Sequence, residues 1–174
     1  KAISEMTSIP GKKIVIFGAG GAARAIAVEM ALAEAEEITI LNVSERGKSL
    51  ADLLNNRTPA KASFRPWNRT FSIPSDTDIV INATPVGLYP DIEQRLNIRV
   101  DTLRPQMIVA DCIPNPVYTH LLKDALANGC KQILPGMNML IYQAMIAIKY
   151  WTGKDVDTDI MKQELMRVLG LLKQ

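Results

Sequence analysis

The segment Gly18-Ala-Gly20-Gly21-Ala22-Ala23-Arg24 has the residue types and spacing of a loop that binds phosphate through its backbone. Gly18 permits a tight turn, Gly20 leaves room for a pyrophosphate against the backbone, and Ala23 lets a following helix pack closely. The N-terminus of that helix offers unpaired N–H groups and a partial positive charge. The alternative is a helix of small residues that packs and binds nothing. The motif predicts a dinucleotide site whose pyrophosphate contacts are Gly18, Gly20, Gly21 and Ala22.

Polar residues follow the next strand, where a dinucleotide-binding domain contacts the adenosine ribose. Asn42 stands where NAD-specific domains usually carry an acidic residue, and a neutral amide removes the repulsion that a 2′-phosphate would meet. Arg46 and Lys48 lie close enough in sequence to pair with that phosphate, although both could equally be solvated charges at a helix start. Together with Ser44, these residues form the predicted adenosine end of the site and slightly favour NADP.

Two further strands end in hydrogen-bonding side chains. The stretch Asn82-Ala83-Thr84-Pro85-Val-Gly87 is interpreted as a loop beside the ribose and nicotinamide, with an ordinary turn as the alternative. The next strand ends in Asp111-Cys112-Ile-Pro-Asn-Pro116, where Asp111 either orients the local backbone or takes part in chemistry. The predicted cofactor contacts in these two stretches are Asn82, Ala83, Thr84, Pro85 and Cys112.

A later helix brings a methionine and an amide onto one face. It opens with Pro-Gly136-Met-Asn-Met139-Leu-Ile-Tyr-Gln143, in which positions 139 and 143 are one helical turn apart. A flexible Met beside an amide suits a nicotinamide edge next to a hydroxylated substrate, whereas spacing alone is explained more simply by a core Met and a surface Gln. We predict that Gly136 and Met139 contact the cofactor and that Gln143 contacts the substrate.

Hydrophobic periodicity places these motifs on strands and helices. The predicted strands are 13–17, 37–42, 62–65, 77–82, 107–111 and 131–134. The predicted helices are 21–33, 46–55, 119–128, 139–151 and roughly 158–172. Strands that alternate with helices imply a parallel sheet covered on both faces, and ligands of such sheets bind beyond the carboxyl ends of the strands. The expected fold is therefore α/β, a Rossmann-type doubly wound parallel sheet in three layers with extra C-terminal helices, forming one dinucleotide-binding domain over 1–174.

Composition argues against several other classes of protein. The chain has 174 residues, 48% of them hydrophobic, and a net charge of +2 with no basic stripe, which argues against nucleic-acid binding. No apolar run is long enough to span a membrane, and the N-terminus lacks a signal peptide. Cys112 and Cys130 form neither a zinc pattern nor a disulfide framework. We therefore expect a cytoplasmic protein that binds no metal, with a homodimer as one option.

Taken together, these motifs resemble the cofactor domain of the shikimate/quinate dehydrogenase family. The family's G-A-G-G-A-x-R-A loop matches 18–25, and its N-A-T-P-x-G stretch matches 82–87. Two further patterns, D-x-x-Y-x-P-x-x-T and G-x-x-M-L-x-x-Q, match 111–119 and 136–143, and the ending Trp151-Thr-Gly153 also fits. The resemblance covers nearly the whole chain in the right order. It implies an oxidoreductase of the aromatic amino acid (chorismate) pathway that uses NADP, or alternatively NAD.

The chain also departs from the family's pattern. The family's N-R-T is here Asn42-Val43-Ser44, so the Arg that would face the adenine phosphate is missing. The family's Tyr near the nicotinamide and substrate is Pro114. The resemblance further implies that the Lys–Asp pair for proton transfer belongs to a substrate domain preceding Lys1. We therefore assign no catalytic residue within this chain and expect that the chain alone is inactive.

These observations lead to one main hypothesis about function. It is the NAD(P)-binding part of a shikimate dehydrogenase-like enzyme, which transfers hydride between nicotinamide and a hydroxyl or keto carbon of a shikimate- or quinate-type substrate. One alternative is the cofactor half of another two-domain dehydrogenase, such as a methylenetetrahydrofolate dehydrogenase or a glutamyl-tRNA reductase. The other is a non-catalytic nucleotide-binding or regulatory module, with which Pro114 is consistent.

Overall fold

The computed structural model describes residues 2–170, in which six parallel strands form one sheet. The strands are β1 (Lys13–Phe17), β2 (Glu37–Asn42), β3 (Lys61–Pro66), β4 (Ile79–Asn82), β5 (Ile108–Asp111) and β6 (Gln132–Leu134). The helices are α1 (Ala2–Met6), α2 (Gly21–Leu32), α3 (Arg46–Arg57), α4 (His120–Ala127), α5 (Gly136–Thr152) and α6 (Thr158–Val168). The predicted α/β fold is confirmed. The positions 171 and 172 of the last predicted helix lie outside the described residues.

The order of the strands fixes where a ligand can bind. Across the sheet the order is β3-β2-β1-β4-β5-β6, so the direction of winding reverses between β1 and β4. This is the strand order of the doubly wound dinucleotide-binding fold, whose ligand lies across the carboxyl ends of the strands at the reversal. The predicted site segments all begin at this edge, because β1, β2, β4 and β5 end in Phe17, Asn42, Asn82 and Asp111.

Alternate strand residues face two separate hydrophobic clusters. Ile14, Ile16 and Ile81 belong to the cluster under α1, α2 and α3. Val15 and Phe17 belong to the opposite cluster, which includes the apolar residues of α4. Because both faces are buried at the centre of the sheet, the strands β1, β4 and β5 are apolar at nearly every position, whereas the edge strand β3 alternates with polar residues.

The cover of the second face differs from a regular helical layer. Between β3 and β4, and between β4 and β5, the described chain is irregular apart from a short 3₁₀ helix at Val100–Thr102. Trp67 and Phe71 from this irregular segment pack around Phe17, with ring centroids 5.0 and 6.1 Å away. On this face of the sheet, aromatic side chains from an irregular segment therefore cover Phe17 where a crossover helix would otherwise pack.

Some element bounds differ from those predicted from the sequence. The helix α1 was not predicted, and α5 begins at Gly136 instead of Met139 because Pro135 provides its N-cap position. The strand β4 begins at Ile79 because the side chain of Asp78 accepts hydrogen bonds from Lys12 Nζ (2.8 Å) and from the backbone N–H of Lys13 (2.9 Å). None of the helices within residues 2–170 combines the length and the apolarity that crossing a membrane requires.

Candidate functional site

Gly18 links the ends of three adjacent strands. Its backbone N–H donates to the carbonyl of Leu41 at the end of β2, over 2.7 Å. Its φ of +107° lies in the range that favours glycine, and a Cβ there would lie 2.6 Å from the carbonyl oxygen of Ala83. The protein itself therefore requires glycine at this position, whether or not a ligand is bound.

Gly20 and Gly21, in contrast, border open space. Gly20 is the N-cap residue of α2, with φ −79° and ψ −168°, and no side chain caps this helix. A Cβ added to either glycine would meet no atom within 4 Å. The first N–H groups of a helix have no partner inside the helix and are available to an anion. This open cradle at the N-terminus of α2 fits the predicted pyrophosphate contact, which also includes the exposed Ala22.

The loop after β2 leaves two basic side chains in solvent. The amide of Asn42 donates to the carbonyl and to Oγ of Ser44, over 3.0 and 2.9 Å, and so fixes the turn. Gly47 is buried where α3 approaches β3 closely. A Cβ at this position would lie 2.5 Å from the ring of Phe64, so the contact requires glycine. Arg46 and Lys48 flank Gly47 and are exposed, and neither has an ion-pair partner among residues 2–170. Their contact with a 2′-phosphate stays a prediction.

The ends of β4 and β5 are joined by a buried cluster of polar side chains. Asn82 and Asp111 are neighbours in the sheet register, and both are almost completely buried. The Asn82 amide donates to the two carboxylate oxygens of Asp111 over 3.1 and 3.2 Å. Its carbonyl oxygen accepts from the backbone N–H and the hydroxyl of Thr84, over 3.0 and 2.7 Å. The side chain of Asn82 is thus committed to protein partners, and its predicted contact with a cofactor stays a prediction.

The environment of this cluster changes the acidity of two groups. Burial raises the pKa of Asp111, although hydrogen bonds from Thr119, Ile113 and Asn82 oppose that rise. Burial, together with the negative charge of Asp111, raises the pKa of the Cys112 thiol to about 12. Cys112 is therefore a neutral thiol near pH 7, which suits a packing contact and excludes a thiolate nucleophile.

Gly136 fixes the start of α5 against the loop that follows β5. A Cβ at this position would lie 2.4 Å from the carbonyl oxygen of Ile113 and 2.5 Å from the backbone carbon of Cys112. The close approach explains the glycine through packing, which sequence spacing did not indicate. The predicted contact of Gly136 with a cofactor stays a prediction.

A cleft of about 270 Å³ opens between α2 and α5 over the ends of β4 and β5. Ala22 from the phosphate loop, Cys112, Met139 and Gln143 all line it, and its other walls are mostly apolar. The structure therefore brings together predicted residues from three separate motifs. Met139 and Gln143 share a helical face, as their spacing predicted, and the structure shows that this face lines the cleft.

Sequence reasoning missed one wall of this cleft. The helix α1 contributes Ala2 and Ile3 to the lining, and the hydroxyl of Tyr142 donates to Glu5 Oε2 over 2.6 Å. That hydrogen bond to a carboxylate raises the pKa of Tyr142. Tyr142 lies three positions after Met139, so helical spacing could have identified it, whereas a five-residue helix such as α1 gives no periodic signal.

Comparisons with known proteins show which enzymes this chain resembles. The family model described as the shikimate 5′-dehydrogenase C-terminal domain matches residues 136–166. The NADP-dependent shikimate dehydrogenase of Methanobrevibacter smithii is 36% identical over 173 residues, which are 98% of this chain and 61% of that enzyme. The enzyme of Methanocaldococcus jannaschii is 38% identical over 167 residues, 93% of this chain and 57% of its own length. These similarities support assignment of the chain to the shikimate/quinate dehydrogenase family.

Two solved structures superpose on this chain over part of their own length. A shikimate 5-dehydrogenase from Listeria monocytogenes, in complex with shikimate and NAD, superposes with a TM-score of 0.83 at 32% identity, over 94% of this chain and 58% of that one. The 5-ketofructose reductase of Gluconobacter sp. strain CHM43 superposes with a TM-score of 0.90 at 43% identity, over 96% and 60%. The chain thus spans about 60% of the length of these relatives, and its residues 136–166 match the shikimate 5′-dehydrogenase C-terminal domain.

Proposed function

We propose that this chain binds NADP(H), with NAD(H) as the alternative, and serves as the cofactor part of a shikimate dehydrogenase-like oxidoreductase. The observation that carries this proposal is the open cradle at Gly20 and Gly21, which no protein atom fills. Its place at the β1–α2 turn, beside the reversal of strand order, is where this fold binds a pyrophosphate. The relatives' names include NADP-dependent enzymes and a complex with NAD, which supports either cofactor.

The division of work between the cofactor and the chain follows from the site. The cofactor, when bound, supplies the hydride acceptor and donor. The N-terminus of α2 holds the pyrophosphate, while Arg46 and Lys48 attract a 2′-phosphate. Met139 and Cys112 give the cleft an apolar surface that excludes water from the nicotinamide ring, and Gln143 orients a substrate hydroxyl at the rim. The proton-transfer Lys–Asp pair of the family is proposed to lie in a substrate domain, and no residue of this chain is assigned to it.

Titration calorimetry of the 174-residue chain with NADPH and with NADH tests the binding step. We expect saturable binding of at least one dinucleotide with one site per chain. A chain that is folded by circular dichroism and binds neither dinucleotide would refute the proposal and would favour a module that only packs against a partner.

The proposed substrate is a shikimate- or quinate-type ring that carries a hydroxyl or ketone. A keto sugar is the second candidate, because the 5-ketofructose reductase resembles this chain more closely than the Listeria enzyme does in both identity and TM-score. Pro114, which replaces the ring and hydroxyl of the family's Tyr, also favours a changed substrate pocket. Initial rates of the whole enzyme with shikimate, quinate and 5-ketofructose distinguish these candidates, and no turnover of any of them would favour a non-catalytic nucleotide-binding module.

Gln143 provides a residue-level test of the substrate end of the cleft. Gln143→Ala in the whole enzyme should raise KM or lower kcat by up to roughly tenfold, because one hydrogen bond to a neutral hydroxyl is worth about 0.5–1.5 kcal/mol. The Kd for the cofactor should stay unchanged, since Met139 and the phosphate cradle are intact. Unchanged KM and kcat would reduce Gln143 to a surface residue. The neighbouring exposed Lys149→Ala, further along α5, is the matched control.

The cellular setting is also a proposal. Cys112 and Cys130 are both free thiols in this structure, which suits a reducing compartment such as the cytoplasm. A homodimer is compatible with the exposed Tyr150 and Trp151 near the end of α5, and native mass spectrometry of the whole protein tests it.

A further inference from the structure

The polar cluster at the ends of β4 and β5 suggests a role that the cofactor contacts alone do not describe. We propose that Asp111 and Asn82 are a positioning pair, which sets the two loops after β4 and β5 for the nicotinamide half of the cofactor and leaves the adenosine half independent. The proposal rests on the proposed function, since it assumes that a dinucleotide binds across this edge of the sheet.

The first support is the continuity of the hydrogen bonds from one loop to the other. Thr119, the N-cap of α4, donates its hydroxyl to Asp111 Oδ2 over 2.7 Å. The backbone N–H of Ile113 donates to Asp111 Oδ1 over 3.0 Å. Asn82 carries the connection onward to Thr84, whose hydroxyl accepts from the backbone N–H of Val86 over 3.2 Å. A single chain of contacts therefore fixes the loop at 83–86, the loop at 112–119 and the start of α4.

The second support is the matching of donors and acceptors. An ionised carboxylate only accepts hydrogen bonds, and every group around Asp111 donates one. The hydroxyl of Thr119 donates to the Asp111 carboxylate, which can only accept, while the Thr119 oxygen accepts from the N–H of Leu122. No cation neutralises Asp111 within residues 2–170, so these donors alone offset the cost of burying its charge. An amide at position 111 would direct an NH₂ group at one of the donors and break the chain.

The third support is the location of the pair relative to the two halves of a dinucleotide. In this fold each half of the ligand lies over one half of the sheet, on either side of the strand reversal. Asn42, Arg46 and Lys48 follow β2 and serve the adenosine half, whereas Asn82 and Asp111 end the neighbouring strands β4 and β5. The loops that they hold contain Thr84, Pro85 and Cys112, the predicted contacts for the other half. A defect in the pair should therefore affect the two halves unequally.

The experiment compares a whole dinucleotide with its adenosine half. Titration calorimetry measures binding of NADP⁺ and of adenosine 2′,5′-bisphosphate to the wild-type chain, Asp111→Asn and Asn82→Asp. We expect each single variant to bind NADP⁺ about tenfold more weakly, because a hydrogen bond to a charged group is lost. Affinity for the bisphosphate should stay within about twofold.

A second pair of variants keeps the test decisive if a buried single variant does not fold. Thr119→Val removes the hydroxyl that supports Asp111 without changing the size of the side chain, and Thr119→Ser retains it. We expect Thr119→Val to weaken NADP⁺ binding several-fold while the bisphosphate binds normally, and Thr119→Ser to behave as the wild type.

The outcomes separate this inference from the proposed function. If the folded wild-type chain binds neither NADP⁺ nor NAD⁺, the proposed function fails. If the wild type binds NADP⁺ and the variants at positions 82, 111 and 119 bind it equally well, the positioning role is wrong. Equal loss of NADP⁺ and bisphosphate affinity would likewise overturn it, because a general structural defect has no preference for one half of the ligand.

Discussion

The turn after β1 and the ends of β4 and β5 lie side by side at the same edge of the sheet, yet they are built in opposite ways. At Gly20 and Gly21 the backbone faces open space, and the helix N-terminus keeps its N–H groups for a ligand. At Asn82 and Asp111 the polar groups are buried and satisfied by one another. The first region has open space and unpaired N–H groups, which suit an anion. Within residues 2–170, the second leaves no buried polar side chain unpaired for a ligand, and its hydrogen bonds hold the loops around it in place.

The contrast shows that residue type alone does not reveal which role a residue has. Four glycines were predicted to contact a cofactor, and the structure divides them. At Gly18 and Gly136 a Cβ would clash with the backbone of Ala83 and Ile113, so both positions require glycine. A Cβ at Gly20 or Gly21 would meet no atom within 4 Å. Only the second pair points directly to a ligand.

The largest expected effect separates these glycines by stability. Gly18→Ala should lower the free energy of unfolding by about 2–4 kcal/mol, because it combines an unfavourable φ with a clash against Ala83. Gly20→Ala, the matched control, should change it by less than about 1 kcal/mol, since its φ and ψ suit any residue. Urea unfolding followed by circular dichroism measures both changes. Equal losses of unfolding free energy in the two variants would contradict a packing requirement specific to Gly18.

Gly20, whose substitution should hardly change stability, should matter for cofactor affinity. Gly20→Val places side-chain atoms in the open cradle and should weaken NADPH binding by about a hundredfold, equivalent to the loss of one strong hydrogen bond to a charged group. Its unfolding free energy should stay close to that of the wild type. Calorimetry that shows unchanged affinity would mean that the pyrophosphate lies elsewhere.

Thiol reactivity tests how closed the region at β5 is. With a pKa of about 12 in place of 9.0, the thiolate fraction of Cys112 at pH 8 falls on the order of a thousandfold. The greater nucleophilicity of a more basic thiolate recovers part of this, so we expect alkylation by iodoacetamide to be roughly thirtyfold slower than in the urea-unfolded chain. Peptide mass spectrometry follows Cys112 separately from Cys130. Alkylation at the unfolded rate would show that the region is open.

Arg46 and Lys48, the exposed basic residues after β2, should determine the preference between the two cofactors. Arg46→Ala and Lys48→Ala should reduce the preference for NADPH over NADH by about tenfold in total, because exposed phosphate contacts are worth on the order of 1 kcal/mol. Arg57→Ala, an exposed residue at the far end of α3, is the matched control. Tighter binding of NADH than NADPH by the wild type would remove this role.

The smallest expected effect is the pH dependence that Asp111 contributes. Burial holds its pKa above 3.8 in the folded chain, so the folded state binds the proton more tightly than the unfolded state does. This contribution to stability is complete below pH 3.8 and is lost as the pH rises through the raised pKa. The unfolding free energy of the wild type minus that of Asp111→Asn should therefore be larger near pH 4 than at pH 7. A difference that grows with pH would mean that the hydrogen bonds outweigh burial.

Much of the fold could be predicted because its signals are local. The run Lys13–Phe17 followed by glycine predicted β1 and the start of α2, and alternation of strands and helices predicted a parallel sheet. The bounds of β4 and α5 were displaced by a side chain and a proline that act at their ends. Periodicity cannot detect a short helix such as α1 or the irregular cover over Phe17, since neither repeats along the chain.

The sequence by itself determined the phosphate loop, the order of the site motifs and their place at the carboxyl ends of strands, because turn geometry and hydrophobic period depend on neighbouring residues. Only the tertiary structure decided which polar residues face one another. Asn82 and Asp111 are 29 positions apart and meet because β4 and β5 pair in one register, and a shift of β5 by one residue would turn Asp111 to the other face of the sheet, away from Asn82. Whether a glycine is required by packing or borders open space was decided in the same way, by which strands and helices lie against it.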